Sequence, residues 1–223
     1  MRRLTPIIIA AASLAVLTTT VARANTIDVN FDTLQNDELV NNYYNGGYGS
    51  LGSGPGPNYG ITFANAFVLN EYSNNEGLLV SGPNSITFLS GSGSIMDVAA
   101  GFTTGFSFNY SSPFDVGTVT VWSGLDATGT LLASLTLPST PNGSGTTGCN
   151  GHNYCPDLPF GVTFAGTAES VDFSGTANYI VYDDITLGSS TPGAPPSVPE
   201  PTTLALLGMT FAGLGMIRRR KSA

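Results

Sequence analysis

Between residues 25 and 188 the chain alternates apolar and polar positions in short runs broken by Gly, Asn, Ser and Pro. A period of two puts successive side chains on opposite faces of a strand. The runs predict strands over residues 27–31, 61–69, 85–89, 101–110, 117–123, 130–137, 161–164, 170–173 and 179–187. Val119-Thr120-Val121-Trp122 and Leu131-Leu132-Ala133-Ser134-Leu135 flank Asp126-Ala127-Thr128-Gly129, the composition of a tight hairpin. Trp122 lies in a strong strand and is assigned to the core, while Ser90-Gly91-Ser92-Gly93-Ser94 reads as linker. Helical stripes occur only at the two ends, and no repeat of fixed period is present. Many short strands with frequent turns predict an all-β fold, an antiparallel β-sandwich of jelly-roll type.

The ends follow different rules. Arg2 and Arg3 precede an apolar stretch over residues 7–17, and Val21-Ala22-Arg23-Ala24 follows. Basic, apolar and small-residue segments in that order predict a signal helix over residues 1–24, cut after Ala24 with Ala22 at the −3 position. Residues 25–188 then form the β-sandwich domain, and residues 189–197, rich in Ser, Gly and Pro, form a linker. Val198-Pro199-Glu200-Pro201 leads into residues 202–217, which carry no charge, and then Arg218-Arg219-Arg220-Lys221. As a single transmembrane helix the uncharged stretch rises about 24 Å at ~1.5 Å per residue. Snorkelling arginines and local thinning would fit it to a ~30 Å hydrocarbon core. The basic cluster is expected to stay cytoplasmic, leaving everything before Pro199 outside. The signal peptide implies the same topology.

Val198, Pro199, Glu200 and Pro201, then a short Leu/Gly/Ala-rich helix, then Arg218, Arg219, Arg220 and Lys221 resemble the PEP-CTERM sorting signal of Gram-negative bacteria. The resemblance covers residues 198–221. It implies an exosortase-like membrane transpeptidase as partner and transient anchoring in the inner membrane by the C-terminal helix. It also implies release to the periplasm, cell surface or extracellular matrix. Proteins with this signal commonly accompany exopolysaccharide production and biofilm formation. The predicted first and last strands, Ile27-Asp28-Val29-Asn30-Phe31-Asp32 and Val181-Tyr182-Asp183-Asp184-Ile185-Thr186-Leu187, resemble those of jelly-roll carbohydrate-binding modules.

Charge narrows the partners of the body. All seven Lys and Arg residues lie in the end segments, and the stretch between Asn25 and Pro199 holds fourteen Asp and Glu. Nucleic-acid affinity comes mainly from phosphate neutralisation by Lys and Arg, so nucleic acid is excluded. Anionic lipid is excluded for the body on the same grounds. Cations, neutral sugars and apolar groups remain.

Cys149 and Cys155, in Cys-Asn-Gly-His-Asn-Tyr-Cys, read as a loop-bracing disulfide in an exported protein. The alternative is a zinc site that adds His152, the single histidine, and needs reduced thiols and a fourth ligand. Triad chemistry finds no nucleophile-elbow motif and no charged oxyanion or phosphate clamp. Carboxylates without Lys or Arg competitors suit a hard cation. If the terminal strands pair, Asp32 approaches Asp183 or Asp184, the candidate ligands of a structural calcium. Alternatively, these acids only solvate the outer face of a sheet. Tyr43, Tyr44, Tyr48 and Tyr59 lie among Asn, Gly and Ser in residues 41–60, a composition suited to glycan contact. It equally describes a surface loop without a ligand. The expected function is a non-catalytic binding or structural module of the extracellular polysaccharide matrix. The alternative is an extracellular carbohydrate-active enzyme using paired carboxylates.

Overall fold

A computed structural model describes residues 26–70, 81–147 and 149–195. The expected signal segment with Ala22 and Ala24, the motif Val198, Pro199, Glu200 and Pro201, the apolar stretch 202–217 and Arg218, Arg219, Arg220 and Lys221 lie outside them. Among the described residues no helix is long and apolar enough to cross a membrane.

The described chain forms eleven strands: β1 (Ile27–Val29), β2 (Ile61–Ala64), β3 (Phe67–Asn70), β4 (Asn84–Thr87), β5 (Gly93–Phe102) and β6 (Gly105–Ser111). They are followed by β7 (Gly117–Gly124), β8 (Thr128–Leu137), β9 (Leu158–Thr163), β10 (Ala168–Ser174) and β11 (Val181–Leu187). One sheet runs β3-β4-β11-β6-β9, with β1 also pairing β11, and the other runs β2-β5-β10-β7-β8. Every pairing is antiparallel. From β4 onward the chain changes sheet at each step except within the β7–β8 hairpin, which is jelly-roll wrapping. The expected sandwich is the fold.

The core lies between the sheets. Val119 and Val121 of β7 and Val171 and Phe173 of β10 point inward beside Phe106, Phe108 and Tyr182 of the opposite sheet. Phe173 centres this layer, with ring centroids 4.9 Å from Tyr182, 6.0 Å from Phe106 and 6.1 Å from Phe108. Burying such apolar area supplies most of the folding free energy.

Differences from the alternation have local causes. The predicted strand 61–69 splits at Asn65, whose φ of +61° turns the chain from one sheet into the other. The Asn65 amide donates to the carbonyls of Ser90 and Gly93, both at 2.8 Å, and so pins the corner. The Ser/Gly run read as linker instead opens β5, where Ser94, Met96 and Val98 face the core. The predicted 101–110 strand breaks at Thr104, φ +75°, between β5 and β6. The β7–β8 hairpin forms as expected, with Asp126 and Ala127 both left-handed, the pattern of a type I′ turn. Trp122 is not a core residue: alternation buries Val121 and turns Trp122 outward, half-buried, its Nε1–H donating to Thr120 Oγ1 at 2.8 Å.

β6 and β11 are buried along their whole length, polar side included. Their polar side chains are used by the segments that cover them. Ser107 Oγ donates to the Ser189 carbonyl at 3.0 Å, and Ser111 Oγ meets Thr140 Oγ1 at 3.3 Å. The segment carrying Thr140 also carries the expected disulfide, Cys149–Cys155, with Cα atoms 5.6 Å apart. Pairing consumes both thiols, which removes the zinc alternative.

Candidate functional site

β1 pairs with β11 in the expected way, Ile27 opposite Leu187 and Val29 opposite Ile185. Val29 and Phe31 point into the core, so Asp28 and Asn30 project outward from the same edge. The chain then enters residues 34–60, which look like a floppy Gly/Asn loop but are tightly folded. Val40 N–H donates to the Ala66 carbonyl and Val68 N–H to the Glu38 carbonyl. Isolated bridges join Leu39 to Phe67 and Asn45 to Asn58.

Glu38, not singled out by sequence, holds this loop. Its side chain is wholly buried, and its carboxylate accepts from the backbone N–H of Leu51 (2.8 Å), Gln35 (2.9 Å) and Ser53 (3.1 Å). Burial pushes the carboxyl up, but the Ser53 hydroxyl and these N–H groups override it and hold it below the usual range. Gly49 is required beside it, because a Cβ there would overlap the carboxylate. Gly56 lies as closely against the Tyr43 carbonyl and ring.

The folded loop carries its tyrosines back onto β1. Tyr43 and Tyr44 are buried, with rings edge-on at 5.0 Å, and Tyr59 stacks on Tyr44 at 6.3 Å with planes 10° apart. The Tyr43 hydroxyl bonds Thr33 Oγ1 at 2.7 Å, and the Tyr44 hydroxyl donates to the Asn30 carbonyl. Together Tyr43, Tyr44, Tyr59, Pro57, Asp28, Asn30 and Thr33 line a recess of about 220 Å³. At ~30 Å³ per water, that is room for about seven waters, a space suited to one sugar ring. Tyr48 is not on its wall and is 56% exposed.

Asp28 joins the recess to the other acids. Asp28 Oδ1 accepts from the Thr186 hydroxyl at 2.9 Å. Asp183 and Asp184 occupy a bulge in β11, Asp184 with φ +48°. Asn109 Nδ2 and the Ser81 hydroxyl donate to Asp184 at 3.0 and 2.5 Å, and Asp183 Oδ1 accepts from the Asp184 N–H at 2.8 Å. Burial first, then the charges of Asp184, Asp157 and Asp32, push Asp183 up to about 9. Burial and then Asp184 also raise Asp32 and Asp28. Tyr44 is raised by burial and by the nearby charges of Asp183 and Asp32. Asp183 and Asp184 are therefore not solvating an outer face: both are buried.

The candidate calcium ligands are thus neighbours, and Asp32 Oδ1 is buried without a hydrogen-bond partner. Their chemistry fits a hard cation. As placed, no set of three or more His, Cys, Asp or Glu side chains among the described residues is arranged to hold a metal. Asp28, Asn30 and Thr33 are not among the residues that sequence singles out, although alternation along β1 puts Asp28 and Asn30 on one face.

Residues 197–221 match the model of the PEP-CTERM protein-sorting motif. The chain carries that motif, which implies export, cell-surface sorting and an exosortase as processing partner. Among solved structures the chain is similar to the K2 cleaved adhesin domain of Lys-gingipain, at 14% identity and TM-score 0.47, over 74% of this chain and 99% of that one. It is similar to a β-1,3-glucan-binding family 6 carbohydrate-binding module from Bacillus halodurans, at 15% identity and TM-score 0.38, over 57% and 89% of the two chains. A family 6 module from Clostridium stercorarium in complex with cellobiose matches at 19% identity and TM-score 0.35, over 58% and 86%. No curated protein sequence matches.

Proposed function

We propose that this protein is an exported, non-catalytic sugar-binding module of the extracellular polysaccharide matrix. The observation that carries the proposal is the recess, where three tyrosines of one loop meet Asp28, Asn30 and Thr33 of the β1 edge. Flat aromatic faces suit the apolar faces of a pyranose ring, and carboxylate, amide and hydroxyl groups suit its hydroxyls. Two-carboxylate hydrolysis needs a pair of acids flanking the bond, and Asp28 is the one carboxylate on the recess wall among the described residues. In the proposed route, residues 1–24 direct export and are cut off after Ala24. Residues 202–217 then span the inner membrane, with the Arg218–Lys221 cluster inside, until processing near Pro199-Glu200-Pro201.

Binding of the full chain to an oligosaccharide array, without product release, is the expected result. Tyr59→Ala should weaken the best ligand about tenfold, ~1.4 kcal/mol, and leave the melting temperature unchanged, because Tyr59 is 41% exposed. Full affinity in that variant, or no saccharide binding by the parent, would exclude the recess as a sugar site.

Asp32, Asp183 and Asp184 are proposed as the ligands of a structural calcium, drawn together by small shifts of carboxylates that already sense one another's charge. Binding would replace the proton that burial holds on Asp183. Millimolar calcium should then raise the melting temperature relative to chelator, and Asp183→Asn should abolish the difference. Superimposable melts with and without calcium would end the proposal.

A further inference from the structure

We propose that the recess selects a sugar bearing a free ammonium group, a 2-amino-2-deoxyhexose unit of a polysaccharide, over its N-acetylated or neutral counterparts. This rests on the sugar-binding proposal above and names its ligand class.

Two kinds of surface that attract an ammonium meet here. Asp28 is exposed on the wall, and the Thr186 hydroxyl on Oδ1 fixes the direction in which its carboxylate presents itself. The same recess is lined by Tyr43, Tyr44 and Tyr59. The faces of such rings attract cations, most strongly where water is partly excluded. Tyr43 and Tyr44 are buried and their hydroxyls are engaged with Thr33 and Asn30, so the exposed ring of Tyr59 offers most of the aromatic surface.

No side chain around the recess supplies positive charge. No Lys or Arg occurs anywhere between Asn25 and Pro199, so no internal cation competes for the recess. A uronate would be repelled there. An acetyl group would cancel the attraction and add bulk, whereas a neutral hexose would gain only stacking and hydrogen bonds. The volume, about 220 Å³, suits a ring that carries the charge better than a bare ion.

The test is titration calorimetry of the full chain with four probes: hexamers of glucosamine, of N-acetylglucosamine and of β-1,4-linked glucose, and a hexalysine peptide. The glucosamine hexamer should bind at least tenfold tighter than the other two sugars and tighter than hexalysine, and its advantage should shrink as salt rises. Asp28→Asn keeps an acceptor for Thr186 and should erase the advantage while leaving residual affinity for all three sugars. Glu169→Gln, which removes one charge from β10 in the other sheet, should preserve it. Equal affinity for acetylated and free amino sugars would overturn the selectivity while leaving the sugar site standing, whereas failure of every sugar would overturn both. Hexalysine binding as tightly as the glucosamine hexamer, or an equal loss in Glu169→Gln, would reduce the effect to bulk charge and overturn it as well.

Discussion

Replacing Glu38 with Ala is expected to lower stability by about 3 kcal/mol and to abolish ligand binding at the recess. The estimate follows from the cost of leaving buried donors without partners, roughly 1–3 kcal/mol each. Three backbone N–H groups point at that carboxylate, from Gln35, Leu51 and Ser53. Part of the loss is recoverable by water entering the vacated space, which keeps the expected total near the lower end of their sum. At about 2–4 °C per kcal/mol for a domain of this size, the melting temperature should fall by roughly 6–12 °C. The loop that Glu38 ties down is the one that brings Tyr43, Tyr44 and Tyr59 to β1, so binding should fail before the sandwich unfolds.

The same residue predicts an acid limit. Because the folded-state pKa of Glu38 lies below its unfolded value, its stabilisation is fully present above ~4.3. It is lost as pH falls through the folded value. Thermal melts between pH 5 and pH 3 should show that loss in the parent, and Glu38→Gln should remove this contribution to the slope. Melting temperatures of Glu38→Ala within a degree or two of the parent would show that the N–H groups find other partners and that Glu38 does not hold the loop.

Phe173→Ala should cost more, about 3–5 kcal/mol, the usual range for deleting a buried aromatic ring. The ring is fully buried at the centre of the sandwich and meets Tyr182, Phe106 and Phe108 across the gap between the sheets. Neighbours on two paired sheets cannot collapse into the space without disturbing the strand ladders, so the cavity term adds to the lost transfer free energy. Denaturant unfolding should show a large drop in midpoint. Leu131→Ala, in β8 and 47% exposed, should leave the midpoint almost unmoved. Similar midpoints for the two variants would mean that the sheets are not held together through this layer.

Where period two runs uninterrupted, as in β7, β8 and β10, sequence places the strand ends within two residues. It failed where a single residue turned the chain. Asn65 and Thr104 adopt left-handed backbone, and nothing in an alternating pattern marks a left-handed non-glycine position. β5 was hidden because its start, Ser-Gly-rich, has the composition of a linker, and its inward Ser94 is satisfied by the Ala64 carbonyl only once β2 lies beside it.

The site was legible in part. Tyrosines at 43, 44 and 59 were candidates from composition and converge on one recess, while Tyr48 of the same loop does not. Asp32, Asp183 and Asp184 were expected to approach if the terminal strands paired, and those strands pair.

By itself the sequence determined what depends on local order: the strand-rich body, the C-terminal sorting motif, the disulfide partners and the absence of any basic side chain from the body. These are properties of runs, spacings and counts, which need no knowledge of long-range contact. Tertiary structure decided what depends on residues far apart in the chain. It turned Trp122 outward, buried Asp183 and Asp184, made Glu38 the anchor of a glycine-rich loop, and brought Asp28 into one recess with three tyrosines. Each outcome follows from which strand became whose neighbour, because burial and electrostatic coupling are set by three-dimensional distance and not by spacing along the chain.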